Sequence, residues 1–106
     1  MSSTPKDKSK KGKDSKIASR MPDQAGVYLH KDKQGKIIYV GKAINLKKRV
    51  SSYFQASTNR PPRLQQLVNN IDSVDFIVTD SEERALVLEN QLIKEYRPHY
   101  NVQLKD

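Results

Sequence analysis

Gly26-Val27-Tyr28-Leu29-His30 and Ile37-Ile38-Tyr39-Val40-Gly41-Lys42, with Lys31 to Lys36 between them, decide the fold. Both arms alternate β-branched, aromatic and aliphatic residues, and the span between them holds Asp32, Gln34 and Gly35. This is the pattern of a β-hairpin with a polar, glycine-containing loop. An even-membered loop sets Lys31 opposite Lys36 and Tyr28 directly opposite Tyr39. Side chains along a strand alternate with a period of two, so opposed residues share a face and the two phenols are expected side by side. A one-residue bulge would move them onto a diagonal or onto opposite faces.

Downstream of the hairpin, Asn45 reads as the N-cap of a helix over about 46–55. Its apolar stripe is Leu46, Val50, Tyr53 and Phe54, with Arg49 at the edge of the stripe and Lys48 pointing away from it. Pro61-Pro62 opens a second helix that runs to about Ile71 and carries Leu64, Leu67, Val68 and Ile71 on one face. Val74 to Thr79 is β-rich and reads as a third strand. Ser81 caps the last helix, from about Glu82 to Arg97, and Pro98 stops it. His99 to Leu104 reads as a short extended tail. The expectation is an α+β domain over 21–106, with a three-stranded, mostly antiparallel sheet flanked by three helices in the order β-β-α-α-β-α.

A length of 106 residues suits one small domain. The formal charge of +8 favours an anionic partner, either nucleic acid or an acidic membrane surface. Residues 1–20 hold seven of the twenty basic side chains and two of the twelve acidic ones, leaving thirteen against ten for the rest. The domain itself is thus only mildly basic, and anion binding must come from where its charges sit. The first 20 residues carry almost no apolar side chains and read as a disordered basic tail. Zero cysteines rule out disulfides, thiolate metal sites and cysteine nucleophiles, and suit a reducing cytoplasm. No apolar run is long enough to span a membrane, and the basic N-terminus is not followed by the apolar core of a secretory signal.

One carboxylate is out of place. In the last helix Ala85, Leu92, Ile93 and Tyr96 form a stripe flanked by Leu86 and Leu88, and Glu89 falls in its middle. An inward carboxylate needs a cationic or hydroxyl partner, or a metal ion. The residues alone leave these alternatives open. His30 and His99 read as core or surface histidines rather than metal ligands.

Taken together, these residues resemble the GIY-YIG nuclease family, whose two triplets stand here as Gly26-Val27-Tyr28 and Tyr39-Val40-Gly41. The likeness extends to Tyr39-Val40-Gly41-Lys42-Ala43, Leu46-Lys47-Lys48-Arg49, Ser52-Tyr53-Phe54, Ala85-Leu86-Val87-Leu88-Glu89 and Tyr96-Arg97-Pro98-His99-Tyr100-Asn101-Val102. These are similar to the UvrC branch of the family, over about residues 22–106. Arg84 departs from that branch, which often has a second glutamate there.

The resemblance implies a metal-dependent DNA endonuclease that nicks one strand, 3′ to a lesion in nucleotide excision repair or as a free-standing relative. It implies one Mg²⁺ or Mn²⁺ ion on Glu89, Arg49 clamping a phosphate oxygen, and Tyr39 as general base with Lys42 beside it. Tyr28 and Tyr53 would orient water and phosphate. Lys42, Lys47, Lys48, Arg49 and Asn101 would contact DNA, and a UvrB-like repair protein is the expected protein partner. Two other readings stand beside it: a nucleic-acid-binding module of the same fold that is inactive without a partner, and a basic RNA-associated protein.

Overall fold

The computed structural model describes residues 16–55 and 60–104. Its elements are β1 (Gly26–Lys31), β2 (Ile37–Ala43), α1 (Leu46–Tyr53), α2 (Pro62–Asn70), β3 (Ser73–Val78), α3 (Glu82–Tyr96) and α4 (His99–Leu104). The three strands form one antiparallel sheet in the order β2-β1-β3. The α+β class and the order of the first six elements agree with the sequence reading. Two stretches do not. His99 to Leu104 is helical rather than extended, and a helical turn at 16–19 lies within the tail expected to be disordered. Ile17 of that turn is buried in the core, which rewards ordering the turn. The rest of the expected tail, residues 1–15, lies outside the described residues.

The central strand β1 has a core on each face. Tyr28 packs with Met21, Leu46, Val50, Tyr53 and Leu67 on the side of α1 and α2. Val27 and Leu29 pack with Val40, Ala85, Leu88, Leu92 and Ile93 on the side of α3. Tyr96, expected on the inward stripe of α3, is exposed instead.

The hairpin register differs from the expected one. Tyr28 pairs with Gly41, and Tyr39 pairs with His30. Two local features each shift the register by one residue. First, the loop closes tightly on Asp32. Its backbone amide donates to the Lys36 carbonyl, its side chain accepts from the Gln34 and Lys36 amides, and Gly35 takes φ +80°. That leaves three residues in the loop, with glycine in the left-handed position that a side chain resists. Second, Lys31 pairs with Ile37 whereas His30 pairs with Tyr39, so Ile38 is an extra residue in β2. The two shifts add, and a shift of two preserves the face. Tyr28 and Tyr39 remain on one surface, on a diagonal, with ring centroids 6.3 Å apart.

The outer edge of β2 is covered rather than left open. The Asn101 side chain mimics a fourth strand there: its Oδ1 accepts from the Val40 amide and its Nδ2 donates to the Val40 carbonyl, each at 2.8 Å. These bonds dock α4 against the sheet edge. They also correct the reading of Asn101 as a DNA contact, because the side chain is buried with its amide committed to Val40. Asn101→Ala strips a buried strand edge of two partners and is expected to lower unfolding free energy by about 2–3 kcal/mol, read by urea denaturation.

Candidate active site

Three tyrosines and a histidine meet where β1, β2 and α1 converge. Tyr28 and His30 stand on one face of β1 by the period of two, and Tyr39 joins them from β2. Tyr53 enters from the last turn of α1. The Tyr28 and Tyr53 hydroxyls are hydrogen-bonded at 2.8 Å. The His30 ring lies 4.6 Å from that of Tyr53, 5.0 Å from that of Tyr28 and 6.1 Å from that of Tyr39, centroid to centroid. Gly41 is what admits Tyr28: a Cβ at this position would overlap the phenol oxygen, since the ring crosses β2 over its own strand partner.

Arg49 is delivered to the same place by a tightly anchored helix start. The first amides of α1 are all taken. Leu46 donates to the Gln24 carbonyl, Lys47 to the Pro22 carbonyl, and Lys48 to the Asn45 side chain, as the N-cap reading required. One turn in, the Arg49 guanidinium faces the phenols, and its interaction with the Tyr28 hydroxyl is the largest cause of its raised pKa. Tyr53 and Tyr39 add to that rise, so the guanidinium stays protonated.

Glu89 reaches this group from α3. Its Oε2 accepts from the backbone amide of Lys42 at 3.1 Å. That amide lies on the same outer edge of β2 as the Val40 amide that Asn101 binds, so one open strand edge positions both side chains. Glu89 is half-buried, and among the described residues no salt bridge engages it. Its charge acts on Tyr39, pushing that phenol's pKa up. Of the partners open to it, Glu89 therefore takes a backbone amide and keeps its second oxygen available.

Electrostatics oppose ionising the phenols. Burial is the largest cause of a raised pKa in Tyr28, Tyr39 and Tyr53, and in Tyr53 the rise is very large. Hydrogen bonding with Tyr53 and the charge of Arg49 counteract part of it in Tyr28 and Tyr39. The Lys42 ammonium does not help as the sequence suggested. It lies 3.5 Å from Glu82 Oε2, so Lys42 reaches the site through its backbone amide. Lys48 and Lys42 line a groove of about 440 Å³ with Arg49 and Ser52, whereas Lys47 is half-buried at the seat of α1.

Of the two readings open to it, core or surface, His30 is a core histidine. It is fully buried, and neither ring nitrogen has a hydrogen-bond partner among the described residues. Burial pushes its pKa down to about 3. The unfolded chain protonates His30 near 6.5 and the folded one near 3, so between these values the unfolded state binds more protons. Stability is full above about pH 6.5 and falls as pH drops, at roughly 1.4 kcal/mol per unit from this residue. Urea titrations of the wild type and His30→Leu at several pH values should diverge by that slope between pH 6 and 4.

Sequence reading missed His30 as the floor of the tyrosine cluster, although its spacing of two from Tyr28 places it there. It also missed Arg60, which lines a second groove with Tyr39, Arg49, Ser52 and Tyr53. No sequence pattern marks Arg60.

A small antiparallel sheet that displays paired phenols beside an arginine, with one carboxylate brought in by a later helix, defines a nuclease domain of the GIY-YIG class. Within that class the match is specific. The chain belongs to the UvrC-like GIY-YIG domain family, whose model matches residues 24–102. UvrABC system protein C of Alkaliphilus metalliredigens is 57% identical over 86 residues, which is 81% of this chain and 14% of that protein. The same protein of Ruminiclostridium cellulolyticum is 53% identical over 87 residues, 82% of this chain and 14% of that protein. The chain thus spans a small fraction of the length of these relatives.

Among solved structures, the GIY-YIG N-terminal endonuclease domain of UvrC from Thermotoga maritima, bound to its catalytic magnesium, superposes with a TM-score of 0.73. It is 37% identical and covers 84% of this chain and 96% of that domain. The fold of this chain is that of a UvrC GIY-YIG endonuclease domain.

Proposed function

We propose that this chain is a divalent-metal-dependent DNA endonuclease that hydrolyses one phosphodiester bond per event, and that it serves the 3′ incision of nucleotide excision repair in the cytoplasm with a UvrB-like partner. The observation that carries the chemistry is Glu89: a carboxylate pinned by the Lys42 amide, its charge felt by Tyr39, and free of any salt bridge among the described residues.

The donor set fits Mg²⁺ or Mn²⁺ held by a single protein ligand. No group of three or more His, Cys, Asp or Glu exists among the described residues, so a bound ion would keep most of its waters, as Mg²⁺ readily does. Glu89 would hold that ion. When bound, it would polarise the phosphate and stabilise the departing 3′ oxygen.

The chain's own side chains supply the rest. Arg49, carried on α1 beside the phenols and lining both adjoining grooves, would present a planar fork to a non-bridging phosphate oxygen. Tyr28 and Tyr53 hold each other's hydroxyls beside that fork and would orient water and phosphate. Tyr39 is the least buried of the three phenols, which suits it to take the proton of an attacking water. Lys48, with Lys42 beside its Glu82 partner, would supply positive charge towards the DNA backbone, Lys47 standing behind them at the seat of α1, and the domain is taken as residues 21–106 with the turn at 16–19 packed on it.

Nicking of supercoiled plasmid in the presence and absence of Mg²⁺ tests the activity. Conversion to open circles only with the ion supports the reading. Binding without conversion at any Mg²⁺ or Mn²⁺ concentration defeats it in favour of an inactive binding module.

A further inference from the structure

We infer that Arg60 docks a DNA phosphate flanking the one that is cut, making the groove between α1 and α2 a nucleotide subsite; this rests on the nuclease reading above. The groove has a volume of about 310 Å³ and is lined by Tyr39, Arg49, Ser52, Tyr53, Arg60 and Pro61, with Leu64 at its edge. It meets the groove of Lys42 and Lys48 at Arg49 and Ser52, which line both. A backbone held at Arg49 therefore has a trough on either side, one walled by Lys48 and the Lys42–Glu82 pair, the other by Arg60.

Arg60 is built into its wall rather than hanging from it. Its Nη2 donates to the carbonyl oxygens of Tyr53 and Gln55, and its Nη1 donates to Gln65 Oε1 at 3.3 Å. These partners are neutral. Among the described residues no carboxylate lies within ion-pair distance, so the positive charge is fixed in place and uncompensated. A guanidinium has five N–H donors, and the three bonds leave others for a ligand. Its planar, immobilised fork suits a phosphate and loses little entropy on binding one. The start of α2 forms the same wall, and it takes no side-chain cap. An anion is favoured at that helix end. Pro61 and Leu64 add apolar surface on which a sugar or base can rest.

The same guanidinium also ties α1 to α2, so the test must separate charge from tether. Binding of a labelled duplex oligonucleotide is measured in EDTA at several salt concentrations, for wild type, Arg60→Gln and Arg60→Lys. Loss of one phosphate contact lowers the slope of log affinity against log salt by about 0.9. Arg60→Gln should show that loss. Arg60→Lys gives up the two-carbonyl tether but keeps the charge, and should retain the wild-type slope.

The cut is then mapped in Mg²⁺ with the wild type, and neutral methylphosphonates are placed one at a time at the phosphates beside it. One position should weaken wild-type binding and have no effect on Arg60→Gln, which marks direct coupling. An unchanged salt slope, or methylphosphonate effects that are the same in both proteins at every position, overturns the subsite while leaving a nicking wild type intact. A wild type that neither binds nor nicks DNA overturns the nuclease reading, and the subsite with it.

Discussion

In Glu89→Ala, Mg²⁺-dependent nicking is expected to fall by more than about a thousandfold while DNA affinity and melting temperature stay near those of the wild type. A metal ion contributes several kcal/mol of transition-state stabilisation, and each 1.4 kcal/mol or so is a decade in rate. Among the described residues Glu89 is the one carboxylate whose charge acts on the phenols, so none of them would replace it as a ligand. DNA affinity should persist because the cations on α1 and in the groove walls are held without it. Stability should persist because what Glu89 gives the fold is one hydrogen bond to a strand-edge amide, worth about 1 kcal/mol, set against the cost of keeping a carboxylate half out of water. Glu89→Gln refines the test: the amide oxygen still accepts from Lys42, so the strand edge keeps its partner and only the charge goes. A nicking rate near wild type in either variant removes the metal role. A collapse in melting temperature in both would make Glu89 a structural residue.

The sequence was informative where a local rule fixes a residue's direction. Asn45 and Ser81 were legible as caps because the side chain and the free amide lie three residues apart, and both bonds are present. Glu89 was legible because a carboxylate in an apolar helical stripe is conspicuous. What stayed hidden was set by tertiary pairing. The phenol diagonal depends on a three-residue loop and on the extra residue at Ile38, each of which moves the register by one; only their sum preserves the shared face. Asn101 reads as an exposed tail residue until the open edge of β2 is known to lie beside it. The Lys42 side chain and its amide point to different partners, Glu82 and Glu89, and a one-letter code cannot say which of the two matters. Ile17 is hidden in the tail because it and Ala18, two adjacent apolar residues beside lysines, have no periodicity to report.

Tyr39→Phe keeps the ring and removes the hydroxyl, and the expected result is a fall of about a hundredfold to ten-thousandfold in single-turnover nicking with little change in melting temperature. Tyr39 is half-buried and its ring packs at the margin of the core, so the packing survives the substitution. The pH dependence carries the mechanism. Burial and the Glu89 carboxylate raise the phenol above the ordinary value near 10, with Tyr53 and Arg49 only partly offsetting them. A base must be unprotonated to act, so the active fraction of the wild type grows about tenfold per pH unit through neutrality and does not level off below that ordinary value unless a bound cation lowers it. Wild-type log rate should therefore climb with a slope near one from pH 6 to 9, and a plateau within that range would report how far the cation pulls the phenol down. Tyr39→Phe should leave a residual rate without that slope. The same measurement on Tyr28→Phe and Tyr53→Phe separates the roles, because each breaks the buried hydroxyl pair and should cost about 1 kcal/mol of stability as well as rate, while retaining the slope. If the slope survives in Tyr39→Phe and disappears in Tyr28→Phe, the proton acceptor is Tyr28 and Tyr39 only orients the water.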